Sequence, residues 1–514
     1  MFKKRGLLAA LGVYIICFAL LYPFYQYIFD DDGVGYLMIT KRLAAGDFYN
    51  GINGFWSPLH SWLVVPLYKA GLSEFLAFRI SNGLIGAGIL IVVYRLCKKT
   101  ALPENIITAT LWVCIPVILS LAFKDLAADI LVCLLLLIYT DIVSEKDFFE
   151  SPGKNILAGI TGCLCYLAKT YAFPFFMIHF AAVQFILFKR CYLANKKKLF
   201  VRNLLLGIAS CILLAIPWLI MLQDRYDTFT FGFSGRHNYM LALFPGYSSV
   251  EELVAVPPEP LVSFWENPYY LPAPKDPYPS LLSFDVLIVQ IRVFLNSFMV
   301  ALNCFHNLSF LSTAIILILG IYVLKRKDNT LTIFLLTITL LPLGYLLMHI
   351  ETRFIWSNTF LLLVAGMVLL NELFKTIRFT RLWQLTCYCI VFGSFLIVPV
   401  NYLKDNAGNG KDIFTLAGEL KEKGVSGRYL SDIDGYSETR RLAYLTGNTD
   451  CIVTNTNYSY NELLAASRKK NIDYYFFFYR HPYQLEAFKQ TVFYRNALRE
   501  IGTGYPGLLL LKMQ

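Results

Sequence analysis

Eleven apolar runs, each close to the roughly 17 to 25 residues that cross a hydrocarbon core as a helix, fall at about 6–28, 75–94, 106–122, 126–143, 155–170, 173–188, 202–222, 307–324, 331–348, 354–373 and 383–402. So many runs of that length leave a soluble fold no way to bury them. Composition agrees, since 57% of the 514 residues are hydrophobic and only 16% charged, and the sequence reads as a polytopic α-helical membrane protein.

The formal net charge is +11, which in a soluble chain would raise the question of nucleic acid. Here the basic residues sit in short clusters between apolar runs, so they read as topology signals beside a lipid bilayer, with no nucleic acid as partner. Most of the twelve cysteines lie inside apolar runs, among them Cys17, Cys114, Cys133 and Cys211, and none has metal-site or CxxC spacing; they read as small apolar fillers. The N-terminus, with Lys3, Lys4 and Arg5 before its apolar run, has no small-residue cleavage pattern ahead of Pro23, so it is expected to stay as the first membrane helix.

With Met1 on the cytoplasmic side, the clusters Arg95/Lys98/Lys99, Lys146/Lys154, Lys189/Arg190/Lys196/Lys197/Lys198, Lys325/Arg326/Lys327 and Lys375/Arg378/Arg381 all fall inside, and only the pair Lys41-Arg42 falls outside, in keeping with the positive-inside rule. The agreement depends on residues 285–303 not spanning. Gln290, Arg292 and Asn296 break up their apolar character, and the segment is expected to lie along the outer interface as an amphipathic helix. The C-terminus then faces out.

Three sizeable pieces are left on that outer side. The connector 29–74 has apolar residues at helical spacing (Tyr36, Ile39, Leu43) and then interface aromatics, which predicts interfacial helices. The stretch 223–284, rich in proline (Pro257, Pro258, Pro260, Pro268, Pro272, Pro274, Pro277, Pro279), has the length and irregularity of a substrate lid. The tail from about 404 turns charged and alternates: helix 412–423, strand 427–432, helix 438–445, strand 451–454, helix 460–470 and strand 472–478. That pattern predicts a small α/β domain with a mainly parallel sheet. The expected organisation is thus a membrane domain over 1–403, with outer loops 29–74 and 223–306, and an extracytoplasmic α/β domain over 404–514, to which no catalysis is assigned.

The residues that carry chemistry gather at one set of helix ends. Asp30, Asp31 and Asp32 follow the first run at once, with no basic residue within eight positions. Carboxylates so close raise the pKa of at least one of them and can take a proton or hold a cation; the bland alternative is a solvated acidic helix end. Asp125 and Asp129 are four apart, on one face at the start of the fourth run, where the helix dipole would satisfy one of them. Lys169, in Leu167-Ala-Lys169 after the fifth run, is either a snorkelling lysine or a cation for a phosphate arriving from the bilayer. His349-Ile-Glu351-Thr-Arg353 precedes the tenth run, and its arginine is either paired with Glu351 or able to grip a phosphate through two hydrogen bonds. Arg236 and Glu266 are weaker members of the set.

In their order, an acidic motif after the first span, a helix ending Ala45-Gly46-Asp47, the segment Trp56-Ser-Pro-Leu59, an aspartate opening the fourth span, Leu167-Ala-Lys169 and Glu351-x-Arg353 resemble the GT-C class of polytopic glycosyltransferases. The resemblance is nearest to the bacterial protein O-mannosyltransferase and aminoarabinose-transferase type, over about residues 8–380. It implies a polyprenyl-phosphate sugar as donor, an extracytoplasmic glycan, lipid or protein as acceptor, and a lysine and arginine on the donor phosphate, matched by Lys169 and Arg353. In the family an aspartate of an Asp-Glu pair on the first outer loop is the base; the matching place here is Asp32, but Gly33 stands where the glutamate would, so Asp31 and Asp32 both remain open. Asp129 and Asp125 would position the acceptor or a metal.

Such a transfer needs a general base at the acceptor and cations at the leaving phosphate. It proceeds by inverting displacement without an enzyme nucleophile, and requires no cofactor, although a divalent cation at the acidic cluster is compatible with it. The expected location is the bacterial inner membrane. A flippase or transporter of lipid-linked sugars is the competing reading; it would spread ionisable groups through the bilayer depth and repeat one half in the other. A membrane-anchored binding or sensor protein would not need charged residues at several outer helix ends.

Overall fold

A helix satisfies its own backbone hydrogen bonds, which is why apolar runs in lipid become helices. The computed structural model describes residues 5–192, 194–244, 252–272, 283–432, 435–455 and 457–513; Lys3, Lys4, Pro274, Pro277 and Pro279 lie outside them. Two compact units emerge. One comprises residues 1–26, 57–243 and 287–407, and the other 27–56, 244–286 and 408–514. Part of each long outer connector therefore clusters with the C-terminal residues.

Among the described residues of the chain, nine helices are long and apolar enough to cross a membrane: Arg5–Tyr25, Glu74–Lys99, Glu104–Lys124, Ala172–Arg190, Lys196–Tyr226, Phe284–Leu308, Asn329–Leu347, Thr352–Thr376 and Arg381–Asp405. Three further apolar runs form shorter helices, Asp129–Val143, Pro152–Ala168 and Ser312–Arg326. Helices Glu104–Lys124 and Thr352–Thr376 are central in their unit, each with 78% of its most apolar window buried, against 11% for Arg5–Tyr25.

The expectation for residues 285–303 needs revision on one point. They belong to a continuous helix of 25 residues, about 37 Å long, whose length and hydropathy match those of the spans. Contacts within the helical unit nevertheless limit what it can do. Tyr166 donates to the Phe231 carbonyl (2.9 Å), and Lys169 reaches Asp129, so 166–169, 231 and 129 share one end of the unit. Arg190 donates to the Lys327 carbonyl (3.1 Å) and to Asn329 (2.7 Å), at the other end. Between 231 and 327 the chain therefore makes one net passage, so Phe284–Leu308 and Ser312–Arg326 cannot both be complete crossings. Along its length the longer helix donates from Gln290 to the Leu347 carbonyl and from Ser297 to the Met348 carbonyl, both in the turn between two other spans.

The second unit is built on a sheet. Its strands are β1 (Val254–Ala255), β2 (Arg428–Ser431), β3 (Thr449–Asp450), β4 (Ile452–Val453), β5 (Tyr474–Phe478), β6 (Arg499–Ile501) and β7 (Leu508–Lys512). The five-stranded sheet has the order β3-β2-β5-β7-β6. β2 runs parallel to β3 and β5, whereas β7 is antiparallel to β5 and β6; β1 and β4 form a separate antiparallel pair. Side-chain alternation puts Tyr429, Tyr474, Phe476, Leu508 and Leu510 on one face, with Leu416 and Leu420 from helix Lys411–Glu422 and Leu442 from helix Tyr436–Thr446. Leu430, Tyr475, Phe477, Leu509 and Leu511 point the other way, onto Leu463 and Leu464 of helix Tyr460–Lys469 and onto Phe488. The α/β reading holds, but the expected mainly parallel sheet is mixed, because β7 returns antiparallel to β5 and pairs antiparallel with β6; β1, β6 and β7 are strands not assigned from the sequence.

Residues 29–74 form helices as expected: Asp31–Ala45, Phe48–Gly51 and Leu59–Lys69. Asp30 caps the first, accepting from the Gly33 amide (2.9 Å), and Gly46 ends it in the left-handed conformation (φ 85°). Gly35 leaves room for Trp56, since a Cβ there would stand 2.4 Å from the indole nitrogen. The 223–284 stretch is more regular than expected, with a helix at Ser234–Leu243.

Candidate functional site

In the helical unit, a charged cluster forms at the shared end of several helices. Asp129 is the first residue of helix Asp129–Val143, held there by the turn that follows Asp125, and its side chain is only 3% exposed. A carboxylate at that depth needs cations. Lys169 supplies one: helix Pro152–Ala168 ends at it, its backbone turns extended, and its ammonium pairs with Asp129 Oδ1. Arg353 supplies the second, with Nη1 3.7 Å from Asp129 Oδ2 and Nε 2.7 Å from Glu351 Oε2. His349 Nε2 is 3.1 Å from Glu351 Oε1. Burial alone would raise the Glu351 carboxyl, but hydrogen bonds and charge from His349 and Arg353 outweigh it and hold it at about 2.

Phe354 packs beneath both cations, with its ring centroid 3.9 Å from Lys169 Nζ and 5.5 Å from the Arg353 guanidinium carbon. Tyr345 stacks on Phe354 at 4.7 Å and meets Tyr171. An aromatic floor under two largely buried cations favours a ligand with an anionic head and an apolar body. Asp125 is buried close by in sequence; its carbonyl accepts from Arg79 (3.2 Å) and Asn82 (3.1 Å), which fixes the turn that presents Asp129. Arg236 is exposed on helix Ser234–Leu243.

In the α/β unit, Asp31 and Asp32 occupy the first turn of helix Asp31–Ala45. Asp31 is engaged through both oxygens: Ser437 donates to Oδ1 (2.9 Å), and Arg440 Nη1 lies 2.9 Å from Oδ2. Arg440 is buried and also reaches Asp450 Oδ2 with Nε at 3.3 Å. Asp450 accepts from Ser263 (2.8 Å), and burial pushes its carboxyl up to about 6 against the pull of Arg440 and Ser263. Further along the helix Arg42 pairs with Glu266 and with Asp47 (3.0 Å) and donates to the Pro260 carbonyl (2.8 Å). Burial raises the Glu266 carboxyl even against that pairing. Glu266 thus fastens the helix to the 260–266 loop, and Trp56 adds a hydrogen bond to the Trp265 carbonyl (2.8 Å).

Arg440 and Asp450 were not singled out from sequence. The signal that existed was weak: an arginine pair inside an amphipathic helix, four residues after an aromatic. Among the described residues no group of three or more His, Cys, Asp or Glu is arranged to hold a metal ion. Asp31 is committed to Arg440 and Ser437, so the acidic triplet does not present a ready donor set.

No family model and no curated protein matches the sequence. Solved structures match the fold. The oligosaccharyltransferase of Archaeoglobus fulgidus, in complex with Zn and sulfate, gives a TM-score of 0.58 at 12% identity over 92% of this chain and 68% of its own. ArnT from Cupriavidus metallidurans bound to undecaprenyl phosphate gives 0.58 at 11% identity over 99% of this chain and 98% of its own. The apo form of that ArnT gives 0.54 at 10% over 98% of each. At such identities the likeness is one of fold, and it spans both the helical bundle and the C-terminal sheet: the chain is a multi-pass membrane protein with the GT-C fold of these neighbours.

Proposed function

We propose that this chain is a membrane glycosyltransferase that moves a sugar from a polyprenyl-phosphate donor to an extracytoplasmic acceptor. The observation that carries the reading is the convergence of Lys169 and Arg353 on Asp129 over the Phe354 ring, within a fold also adopted by an ArnT bound to undecaprenyl phosphate. Lys169 and Arg353 hold the donor phosphate. Asp129 keeps both side chains in place before the lipid arrives, and Glu351 with His349 does the same for Arg353.

Asp32 is assigned the proton because it stands at the place where the resembled family carries its base; Asp31 beside it is held by Arg440 and Ser437. The acceptor O–H or N–H gives its proton to the Asp32 carboxylate while its heteroatom attacks the anomeric carbon from the face opposite the phosphate. The C1–O bond to phosphate breaks, its electron pair stays on the phosphate oxygen, and the configuration inverts. The leaving phosphate gains one negative charge in this step, and Lys169 and Arg353 stabilise it where it forms.

The basic residues Arg95, Lys99, Lys154 and Arg190 belong to the end opposite Asp129 and Lys169, where they pair with Asp141, Glu145 and Asp147 or bond Asn329. The positive-inside rule supports reading that end as cytoplasmic, and on this reading the proposed donor residues face outward from a bacterial inner membrane. The test is transfer itself: membranes carrying the chain, supplied with radiolabelled polyprenyl-phosphate hexoses, should move label from the lipid into a glycan, lipid or protein fraction. Membranes that hold the folded chain yet transfer label from none of them would remove the reading.

A further inference from the structure

The α/β unit contains a cavity of about 300 Å³ whose wall includes Trp265, Ser431, Asp432, Tyr436, Arg440 and Ile452. It lies at the carboxyl ends of the parallel strands β2 and β3, the edge where open α/β sheets take their ligands. Its volume is at the small end of ligand sites and suits a single pyranose ring.

Charge on the wall narrows the ligand. Arg440 is matched by two carboxylates, Asp31 at 2.9 Å and Asp450 at 3.3 Å, and its guanidinium carbon lies over the rings of Trp265 (4.4 Å) and Tyr436 (4.9 Å). With Asp432 added, the wall carries more acid than base, which disfavours phosphate or sulfate. Apolar and aromatic surface beside a carboxylate, a hydroxyl and a guanidinium instead matches a sugar, whose C–H face is apolar and whose hydroxyls both donate and accept. The buried indole N–H of Trp265 meets no acceptor among the described residues, a cost that a hydroxyl-bearing ligand would relieve.

We infer that this cavity binds one neutral sugar residue and, resting on the glycosyltransferase reading above, that this residue belongs to the acceptor. The link to the chemistry is direct in the chain: Arg440 lines the cavity and holds Asp31, the residue before the proposed base. A sugar seated there is sensed by the same side chain that fixes the first turn of helix Asp31–Ala45.

Saturation-transfer NMR on the full chain in nanodiscs, without donor, tests the site using methyl glycosides of glucose, mannose, galactose and N-acetylglucosamine. At least one should bind the wild type at millimolar concentration, with affinity at least tenfold lower in Asp432→Asn and in Tyr436→Ala and retained in Asp32→Asn. No binding to any glycoside, or unchanged binding in both cavity variants, overturns the inference, as does inorganic phosphate displacing the bound glycoside. The glycoside that binds should also inhibit label transfer by the membranes described above, and do so less in Asp432→Asn. Glycoside binding to a chain that transfers nothing would leave the sugar site standing and defeat the glycosyltransferase reading; transfer without glycoside binding would do the reverse.

Discussion

Arg440 Nη1 lies 2.9 Å from Asp31 Oδ2, and the same guanidinium reaches Asp450 through Nε at 3.3 Å. One buried arginine therefore ties the acidic start of helix Asp31–Ala45 to strand β3. Removing one partner of such a buried pair strands the others in a poorly solvated place and costs roughly 3–5 kcal/mol. Arg440→Ala should lower the unfolding midpoint of the α/β unit by several degrees, read by limited proteolysis during heating, and Arg440→Lys should recover part of the loss. An unchanged midpoint in Arg440→Ala would show that this network does not hold the unit together.

Asp450 makes the same network sensitive to pH. Its carboxyl is raised to about 6 in the folded chain, so a proton binds the folded form more tightly than the unfolded one. Its contribution to stability is complete below about 4, the ordinary carboxylate value, and is lost as pH rises through about 6. Glu351 runs the other way: held at about 2, its contribution is present above roughly 4.3 and is lost as pH falls. Comparison with Asp450→Asn isolates the first effect. The stability difference between wild type and that variant should change by about 3 kcal/mol between acid and neutral pH, the wild type gaining on acidification, and a flat difference would contradict the buried carboxyl.

Lys169 and Arg353 converge on one carboxylate, so each should matter separately to a phosphate ligand. Losing one charge-assisted contact costs roughly 1.5 to 3 kcal/mol, and Lys169→Met or Arg353→Ala should weaken binding of a polyprenyl-phosphate about 10- to 100-fold. Isothermal titration in nanodiscs measures it. Unchanged affinity in both variants would place the phosphate elsewhere.

Much of this was legible in the sequence, and what was not has physical reasons. Apolar length announces a membrane helix because lipid leaves the backbone no other partner, so the runs were placed well. Residues 285–303 were harder: an apolar amphipathic stretch suits an interface and a tilted passage alike, and only the contacts of Tyr166 and Arg190 limit the passages between 231 and 327. The meeting of Asp129, Lys169 and Arg353 was foreseeable in outline, since all three stand at helix ends of one sidedness. Their sharing of a single carboxylate was not, because it depends on side-chain reach across three segments. The Asp31 to Arg440 pair joins residues hundreds of positions apart, and no local pattern marks such a contact. Strand β7 could have been found: Leu508–Leu511 is an apolar run after Pro506-Gly507, a turn signal followed by a buried strand.

Topology is open to direct labelling. Cysteines introduced at Arg326 and at the exposed Glu422, in a background without the exposed Cys389, should respond oppositely to an impermeant thiol reagent applied to intact cells, with Glu422→Cys labelled and Arg326→Cys protected. Equal labelling of both would break the proposed orientation.

The central claim is that Asp32 takes the acceptor's proton while Asp31 is held in place. Asp32→Asn keeps shape and hydrogen bonding but cannot accept the proton, so label transfer from a polyprenyl-phosphate sugar should fall by roughly the 10²- to 10⁴-fold that a positioned base contributes, with donor binding and folding retained. Asp31→Asn should cost less, about two- to tenfold, through the first turn it steadies and the charge it places beside its neighbour. Transfer assays on the purified variants decide the matter: a large loss in Asp32→Asn with donor still bound is the expected result, and full activity in the Asp31→Asn/Asp32→Asn double variant would contradict the assignment and leave the triplet with the structural role of starting its helix.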